Sequence, residues 1–414
     1  MVTETDGPQT GGSAVRPTPL ELASGMPFGE HLVSPLPHVA SDVSPRRALE
    51  DAMRPWLAGG RCFTAFSGGR DSSAILAVAT GLAKREGLPL PIPVTIRFPG
   101  VTDADESAWQ ELVIDHLGVE DWLRIDVEDE LDYLGPLATR LLRRHGLMWP
   151  PYFHYEHLLL EQASGGVLLS GHDGDGVFGW WRWAGLSSVL HRKRPPRLRD
   201  MATLALTAVP APLRRWEAQE RRSPSLPWLR AGPRVTVQLG LATEMAGQPK
   251  RWDRWLSWLS RRRTLALGLA TIERLARDCG TRAVHPFLDP RFLAALALDG
   301  GCTGYGERTD VMRALFADVL PGEMLARKAK SSLGGGFWRG PSQAFAASWD
   351  GHGVDMDLVD PVALREAWSE SRPPIGAIAL LQGAWLVGSE GRSAAAKPDG
   401  RSRFERFDFE AHKA

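Results

Sequence analysis

Short apolar runs alternate with amphipathic stretches along the first half of the chain. Four runs have the length and apolar content of buried strands: residues 62–66, 93–98, 123–127 and 167–170. Apolar residues recur at helical spacing in the stretches between and beside them: residues 72–84, 106–117, 131–145 and 155–162. Strands that alternate with helices predict right-handed βαβ units and a parallel sheet, in which ligands bind beyond the carboxyl ends of the strands.

The strand pattern fades after residue 179. Segments rich in Trp, Arg and Leu follow, separated by prolines such as Pro210 and Pro227, which predicts a mainly helical second lobe. We therefore expect a disordered leader rich in Gly, Thr and Pro, an α/β domain, a helical lobe and a flexible polar tail: residues 1–20, 21–180, 181–391 and 392–414.

Composition narrows the class of protein. The 414 residues are 43% hydrophobic, and 49 basic residues balance 49 acidic ones, so the basic excess typical of a nucleic-acid binder is missing. The three cysteines are far apart, which favours free thiols in a reducing cytoplasm over disulfides or a zinc ribbon. We see no secretory signal and no apolar run of membrane-spanning length, and we expect a cytoplasmic protein without nucleic-acid partners.

The loop after the first strand carries the sharpest chemical signal, the string Ser-Gly-Gly-Arg-Asp-Ser-Ser at residues 67–73. Two glycines allow a close backbone approach to a phosphate, and the following helix start offers N–H groups and the positive end of a dipole. Asp71 is suited to holding Mg²⁺ that bridges to phosphate oxygens. The alternative is an ordinary capped turn with Asp71 or Ser72 at the N-cap.

This string resembles the SGGxDSS pyrophosphatase loop of the N-type ATP pyrophosphatases, which cleave ATP between the α and β phosphates. The resemblance implies an adenine nucleotide alpha hydrolase-like α/β domain, with ATP and Mg²⁺ as cofactors. It also implies a set of ATP-binding residues in this loop: Phe66, Ser67, Gly68, Gly69, Asp71, Ser72 and Ser73.

The loop after the fourth strand, SGHDGDGVFG at 170–179, resembles the SGxGxDELFGG segment of the asparagine synthetase C-terminal domain. The resemblance implies that Ser170 and Gly171 bind ATP and that Asp175 is the second Mg²⁺ ligand. His172 replaces the family's glutamate at a position tied to catalysis, where an imidazole would take a proton from an attacking amine. The alternative for His172 is a loop residue that only hydrogen-bonds its neighbours.

The loop after the fourth strand differs from the family's segment at one more position, and the role of one of its acidic residues has two interpretations. Gly176 stands where asparagine synthetases usually have glutamate. Asp173 is either a third acidic ligand or a solvated turn residue, and we favour the turn.

Other segments extend the resemblance. PVTIRFPG at 93–100 resembles the family's second strand, which implies that Ile96 contacts the adenine, and HPFLDP at 285–290 resembles its VPFLD stretch. The segment at 320–330 resembles LPxxLLxRxxK, which implies that Lys330, or its rival Lys328, stabilises charge at the acyl centre. The alternative is a basic surface turn.

The source of the amine remains to be assigned. Asparagine synthetases draw ammonia from a glutaminase domain whose nucleophile is a cysteine after the initiator methionine, whereas this chain has Val2 there. We therefore expect an amine already present on the substrate. PWLR at 227–230, VDP at 359–361 and GAWL at 383–386 resemble the lasso-peptide macrolactam synthetases, which implies a precursor peptide as substrate, with a leader-binding protein and a leader peptidase as partners.

We thus predict an AMP-forming amide (isopeptide) synthetase that adenylates a carboxylate and closes a macrolactam. Three alternatives stay open: a small-molecule amide or β-lactam-type synthetase, an asparagine synthetase-like enzyme using free ammonia, and a non-catalytic ATP-binding module. A zinc site from His154, His157 and Glu161 is a further option.

Overall fold

One parallel sheet organises the chain. The computed structural model describes residues 15–101, 104–327 and 334–395. Its five strands lie in the order β3-β2-β1-β4-β5, and every neighbouring pair is parallel. They are β1 Cys62–Ala65, β2 Ile92–Arg97, β3 Leu123–Asp126, β4 Val167–Leu169 and β5 Arg282–Val284. This confirms the predicted α/β class with a parallel sheet and a large helical part.

Helices make up most of the remaining described chain. Those before β5 are α1 Pro19–Ser24, α2 Pro45–Ala58, α3 Arg70–Glu86, α4 Ser107–Leu117, α5 Pro136–His145, α6 His154–Gln162, α7 Gly174–Gly179, α8 Ala184–Leu190, α9 Leu198–Ala208, α10 Ala211–Arg222, α11 Ala231–Gly247, α12 Trp252–Leu259 and α13 Arg263–Asp278. Those after it are α14 Pro290–Gly300, α15 Arg308–Phe316, α16 Gly322–Ala326, α17 Gly334–Phe337, α18 Gly340–Ser348, α19 Pro361–Ser369 and α20 Ile378–Ala395.

The predicted elements of the first half agree with the structure except at one helix start. The helix predicted over 131–145 begins only at Pro136, because proline suits the first helical position and Gly135 precedes it in an extended conformation. Strand β5 was not predicted, since three residues are too short a run to show a pattern.

Two apolar clusters lie on opposite faces of the sheet. Successive strand residues point to opposite faces, and Cys62 and Leu169 belong to one cluster while Phe63 and Leu168 belong to the other. Helices α2, α3, α12, α14 and α15 contribute to the first cluster, and α5, α6, α19 and α20 to the second. The sheet is therefore covered by helices on both faces, as a parallel sheet requires.

Each core cluster draws on residues from both sides of position 180, and the domain division there stays a prediction. The predicted leader boundary at residue 20 falls inside α1, and the predicted tail boundary at residue 392 falls inside α20. The three cysteines are unpaired. In the described part of the chain, no helix is both long and apolar enough to cross a membrane.

The tryptophans after residue 179 serve mainly as core. Trp228, Trp252 and Trp255 are almost completely buried, whereas Trp180 and Trp216 are about 60% exposed (60% and 61%). Burial of these rings explains the tryptophan content of the lobe by packing.

The sheet register places three loops at one edge. Thr64 pairs with Leu169 and Leu169 pairs with Val284, so β1, β4 and β5 end at the same level. The loops that follow these three strands therefore start side by side, at the edge where ligands bind in parallel sheets.

Candidate functional site

Hydrogen bonds to its own serine hydroxyls hold the shape of the loop between β1 and α3. The N–H of Ser67 donates to Oγ of Ser72 (3.2 Å), and the N–H of Gly69 donates to Oγ of Ser67 (3.3 Å). Gly69 is the N-cap residue, and no side chain caps α3 there; Asp71 and Ser72 lie inside the helix. The capped-turn alternative is therefore wrong, and the helix start keeps backbone donors suited to an anion.

Gly68 can only be glycine in this loop. Its φ is +79°, and a Cβ added there would lie 2.8 Å from Cγ of Gln110. Gln110, on α4, donates from Nε2 to the carbonyl oxygen of Ser67 (3.2 Å). Helix α4 thus fixes the shape of the loop from outside.

A buried ion pair supports the same loop. Arg327 donates from Nη1 to the carbonyl oxygen of Gly68 (2.8 Å) and forms an ion pair with Glu106. Their side chains are only 7% and 8% exposed, and the Arg327 guanidinium lies over the ring of Trp109, 4.8 Å from its centroid. Neither residue was assigned to the site from the sequence, because the pair joins positions 221 residues apart.

Asp71 and Asp175, the two predicted Mg²⁺ ligands, converge on one cation. Arg308, the first residue of α15, donates to both carboxylate oxygens of Asp71 (2.7 Å each) and also forms an ion pair with Asp175. The three side chains are partly exposed, at 22%, 15% and 30% respectively. The sequence reasoning missed Arg308, since no motif surrounds it.

Glycines let the two loops approach each other closely. A Cβ on Gly171 would lie 2.8 Å from the backbone carbonyl carbon of Asp71, and one on Gly174 would lie 2.5 Å from its Cγ. The loop after β4 therefore packs directly against the start of α3, and only residues without side chains fit there.

Asp173 is not the solvated turn residue we expected. It does stand in a turn, with φ of +57° just before α7, but its Oδ2 is shielded from solvent and has no hydrogen-bond partner among the described residues. Burial, and then the charges of Asp175 and Asp71, raise the pKa of Asp173 to about 7. A Cβ on Gly176 would lie 2.6 Å from this carboxylate, so the glycine makes room for it.

His172 lies in an apolar setting beside a second histidine. Its ring packs edge-on against Phe153, with centroids 5.5 Å apart, and lies 5.3 Å from the ring of His285. Burial lowers the pKa of His172 to about 4, so the imidazole is neutral near pH 7. Ser170 joins the two loops: its Oγ lies 2.8 Å from Nδ1 of His285.

The remaining predicted ATP-binding residues have unequal access. Ser73 is fully buried, and its Oγ has no hydrogen-bond partner in the described part of the chain. The Phe66 side chain lies in the core, while its carbonyl oxygen accepts a bond from Thr95 Oγ1 (2.7 Å). Ile96 is half-buried near the end of β2. These assignments, like those of the other loop residues, stay predictions.

Lys330 and Lys328 lie outside the described residues. The described residues on either side reach the same edge of the sheet. Arg327 contacts the loop between β1 and α3, and a Cβ on Gly336 would lie 2.5 Å from the ring of Phe98, which follows β2.

The zinc alternative is not supported by the geometry. His154 is fully buried, with Nε2 bonded to the carbonyl oxygen of Leu131 (2.9 Å), whereas Nδ1 of His157 faces Sγ of Cys279 (3.3 Å). The two rings thus serve different partners. Among residues 15–101, 104–327 and 334–395, no group of three or more His, Cys, Asp or Glu side chains is arranged to hold a metal ion.

The carboxylate pair nevertheless fits Mg²⁺ of the kind that enters with a nucleotide. Such an ion needs only one or two protein carboxylates, because phosphates and waters complete its shell. Asp71 and Asp175 already converge on one positive group, the guanidinium of Arg308. Their donor set and convergence are those the predicted ion requires.

These features define a class: an α/β protein with a parallel sheet and a glycine-rich loop after β1 that faces a second, acidic loop after β4. The family model described as asparagine synthase matches residues 45–387, most of the 414-residue chain, and the protein belongs to the asparagine synthase family. No curated protein matches the chain at a significant level. Family membership supports an ATP-dependent ligase that forms amide bonds.

Proposed function

We propose that this protein is an AMP-forming amide synthetase that adenylates a carboxylate of a precursor peptide and closes a macrolactam with the peptide's own amine, as in lasso-peptide biosynthesis. The observation that carries the proposal is the convergence of Asp71 and Asp175 on Arg308 beside the uncapped start of α3. Cleavage between the α and β phosphates needs charge neutralisation at the leaving pyrophosphate, and this is where the charges of the site meet.

The phosphate loop and the carboxylates divide the work on ATP. Backbone N–H groups at the start of α3, with Ser67 on the loop and Ser72 in the first turn of the helix, bind phosphate oxygens. Asp71 and Asp175 hold Mg²⁺, which neutralises charge on the pyrophosphate when bound. Arg308 adds a fixed positive charge beside them. Gln110 and Arg327 keep the loop in its binding shape, because they hold the carbonyl oxygens of Ser67 and Gly68.

The acyl-transfer step uses the second loop. Neutral His172 accepts a proton from the attacking amine, and its apolar setting keeps it unprotonated at neutral pH. Lys330, or Lys328, stabilises the charge that develops at the acyl carbon. The flanking residues Arg327 and Gly336 support this role, since both lie at the edge of the sheet where the phosphate loop stands.

A packed pair of segments supports the choice of a peptide macrolactam. Two of the strings that resemble lasso-peptide synthetases, at 227–230 and 359–361, meet in the structure. Leu229 and Val359 form an antiparallel bridge, and the N–H of Asp360 donates to the carbonyl oxygen of Trp228 (2.8 Å). The resemblance therefore falls on one structural unit of the chain.

The proposal is tested with synthetic peptides that carry a free N-terminal amine and one Asp or Glu. Incubation with protein, ATP and Mg²⁺ is expected to give AMP, pyrophosphate and a peptide lighter by one water, detected by mass spectrometry. Two matched peptides separate the steps: an acetylated N-terminus permits adenylation without closure, and Asn or Gln in place of the acid prevents both.

Each alternative outcome contradicts a stated part of the proposal. Formation of ADP would overturn AMP-forming chemistry. AMP formation that depends on free ammonia and ignores peptides would favour the asparagine synthetase-like alternative, and AMP formation with small amino acids alone would favour the β-lactam-type alternative.

A further inference from the structure

His285 lies at the candidate site. In the sequence, only the resemblance of residues 285–290 to the family's VPFLD stretch pointed to this segment. We propose that His285 is a positioning residue for amide formation, which holds His172 through Ser170 as a proton acceptor at the carboxyl edge of the sheet. The inference rests on the proposed function and adds a residue to it.

Neighbouring strand ends bring the three residues together. Ser170 and His172 follow β4, and His285 follows β5, the adjacent strand. The N–H of Ser170 donates to the carbonyl oxygen of Val284 (3.0 Å), which continues the pairing of the strands by one residue. The pairing of β4 with β5 therefore sets the distance between the two loops.

The hydrogen bonds of Ser170 orient both histidines. Its Oγ accepts the backbone N–H of His172 (3.3 Å) and lies 2.8 Å from Nδ1 of His285. This hydrogen bond joins the two side chains whichever of them donates, since the donor depends on the tautomer of His285. One serine thus bonds both the ring of His285 and the backbone of His172.

The surroundings keep both rings neutral. Ser170 faces them from the β4 loop, Phe153 from the chain before α6, and Gly268 from α13, where a Cβ would lie 3.8 Å from Nε2 of His172. None of these groups is charged. Burial lowers the pKa of His285 to about 3, and neighbouring His172 adds to this effect.

A neutral pair suits the proton transfer in amide formation. The amine nitrogen forms a bond to the acyl carbon, the bond from that carbon to the AMP oxygen breaks, and AMP leaves with the electron pair. The surplus N–H proton moves to His172, which later releases it to solvent. A neutral His285 tolerates the imidazolium that forms beside it, whereas a positively charged neighbour would oppose it.

The test separates adenylation from closure in three proteins: wild type, His285→Asn and His285→Leu. Asparagine keeps a polar partner for Ser170, and leucine removes it. ATP–pyrophosphate exchange reports adenylation and should change little in either variant. Closure of the adenylated peptide should fall on the order of 10- to 100-fold in His285→Leu and largely recover in His285→Asn.

Rescue by asparagine is the readout that a purely structural role would not give, because leucine fills the buried space but offers Ser170 no polar partner. The pH dependence of closure should not shift in His285→Leu, because burial, which leucine preserves, lowers the pKa of His172. The control is His145→Leu, which removes a histidine bonded to Asp278 just before β5, at the opposite edge of the sheet.

Two results would overturn the inference while leaving the proposed function intact: closure at the wild-type rate in His285→Leu, or equal loss of exchange and closure in both variants. Failure of the proposed function looks different, because the wild-type protein itself would then show no ATP–pyrophosphate exchange with any peptide.

Discussion

Two arginines reach the site, and they do so in different ways. Arg327 pairs with Glu106 and also holds the carbonyl oxygen of Gly68, and both side chains of the pair are less than a tenth exposed, at 7% and 8%. Arg308 is shared between Asp71 and Asp175 in a more open setting, with exposures between 15% and 30%. A buried pair costs desolvation and cannot exchange partners easily, whereas an open, shared arginine leaves its carboxylates accessible to another cation. Arg327 supports the loop between β1 and α3, and Arg308 lies where we propose that the charge of the ATP phosphates is neutralised.

The largest expected effect is on activity, when a carboxylate that binds the shared Arg308 is substituted. Asp71→Asn should lower AMP formation by a factor on the order of 10³, because it removes one of the two charges that we propose hold Mg²⁺. The melting temperature should change little, since the side chain is partly exposed. Asp126→Asn, which breaks an exposed pair with Arg97, is the matched control and should keep full activity. Retained activity in Asp71→Asn would remove Asp71 from the catalytic site.

The buried pair should instead determine stability. Glu106→Gln leaves the Arg327 charge buried without its counter-ion and should cost about 3–5 kcal/mol of unfolding free energy. Asp126→Asn breaks a pair whose side chains are 38% and 51% exposed, and should cost at most about 1 kcal/mol. Equal losses in urea unfolding experiments would contradict the distinction between the two arginines.

The pH dependence of the unfolding free energy gives a third test, because titration of His285 and titration of Glu156 change it in opposite directions. The pKa of His285 is lowered to about 3, so the unfolded chain binds a proton that the folded chain excludes, and stability falls as pH drops below about 6.5. Burial raises the pKa of Glu156 to about 7, so its stabilising proton is lost as pH rises through 7.

The corresponding variants should separate as pH changes. Relative to wild type, His285→Asn should become more stable on acidification from pH 6.5 to 4.5, by at most about 1.4 kcal/mol per pH unit, and Glu156→Gln should become less stable over the same range. Unfolding free energies measured in parallel at several pH values check both slopes. Parallel curves for all three proteins would show that neither group titrates as described.

The smallest expected effect is on the melting temperature, through binding of Mg²⁺ to Asp71 and Asp175 in the absence of nucleotide. In Arg308→Gln, Asp71 and Asp175 lose their shared partner and should bind Mg²⁺ alone, which would raise the melting temperature by about 2–4 °C at millimolar Mg²⁺. Wild type should respond less, because Arg308 competes for the same oxygens. The double variant Asp71→Asn, Arg308→Gln should show no rise, and a rise there would place the ion elsewhere.

The sequence predicted the parts of the site that local patterns define. The strand, loop and helix around Ser67–Asp71 and the loop around Ser170–Asp175 are short, continuous strings, and both the parallel sheet and the juxtaposition of its loops follow from the alternation of elements. Arg308, the pair of Arg327 with Glu106, and Gln110 were missed, because their contacts join residues 43 to 259 positions apart and leave no periodic or motif signal. The meeting of His285 with Ser170 was missed for a related reason: it depends on β5, whose three residues gave no pattern.

The central claim is that Asp71 and Asp175 form the cation site of an ATP pocket at the start of α3. Calorimetric binding of α,β-methylene-ATP tests it most directly, since this analogue is not cleaved between the α and β phosphates and needs no peptide. The account predicts Mg²⁺-dependent binding to wild type that is lost in Asp71→Asn and in Asp175→Asn, and unchanged in Asp126→Asn. Binding that is equally tight without Mg²⁺, or unaffected by both substitutions, would contradict it.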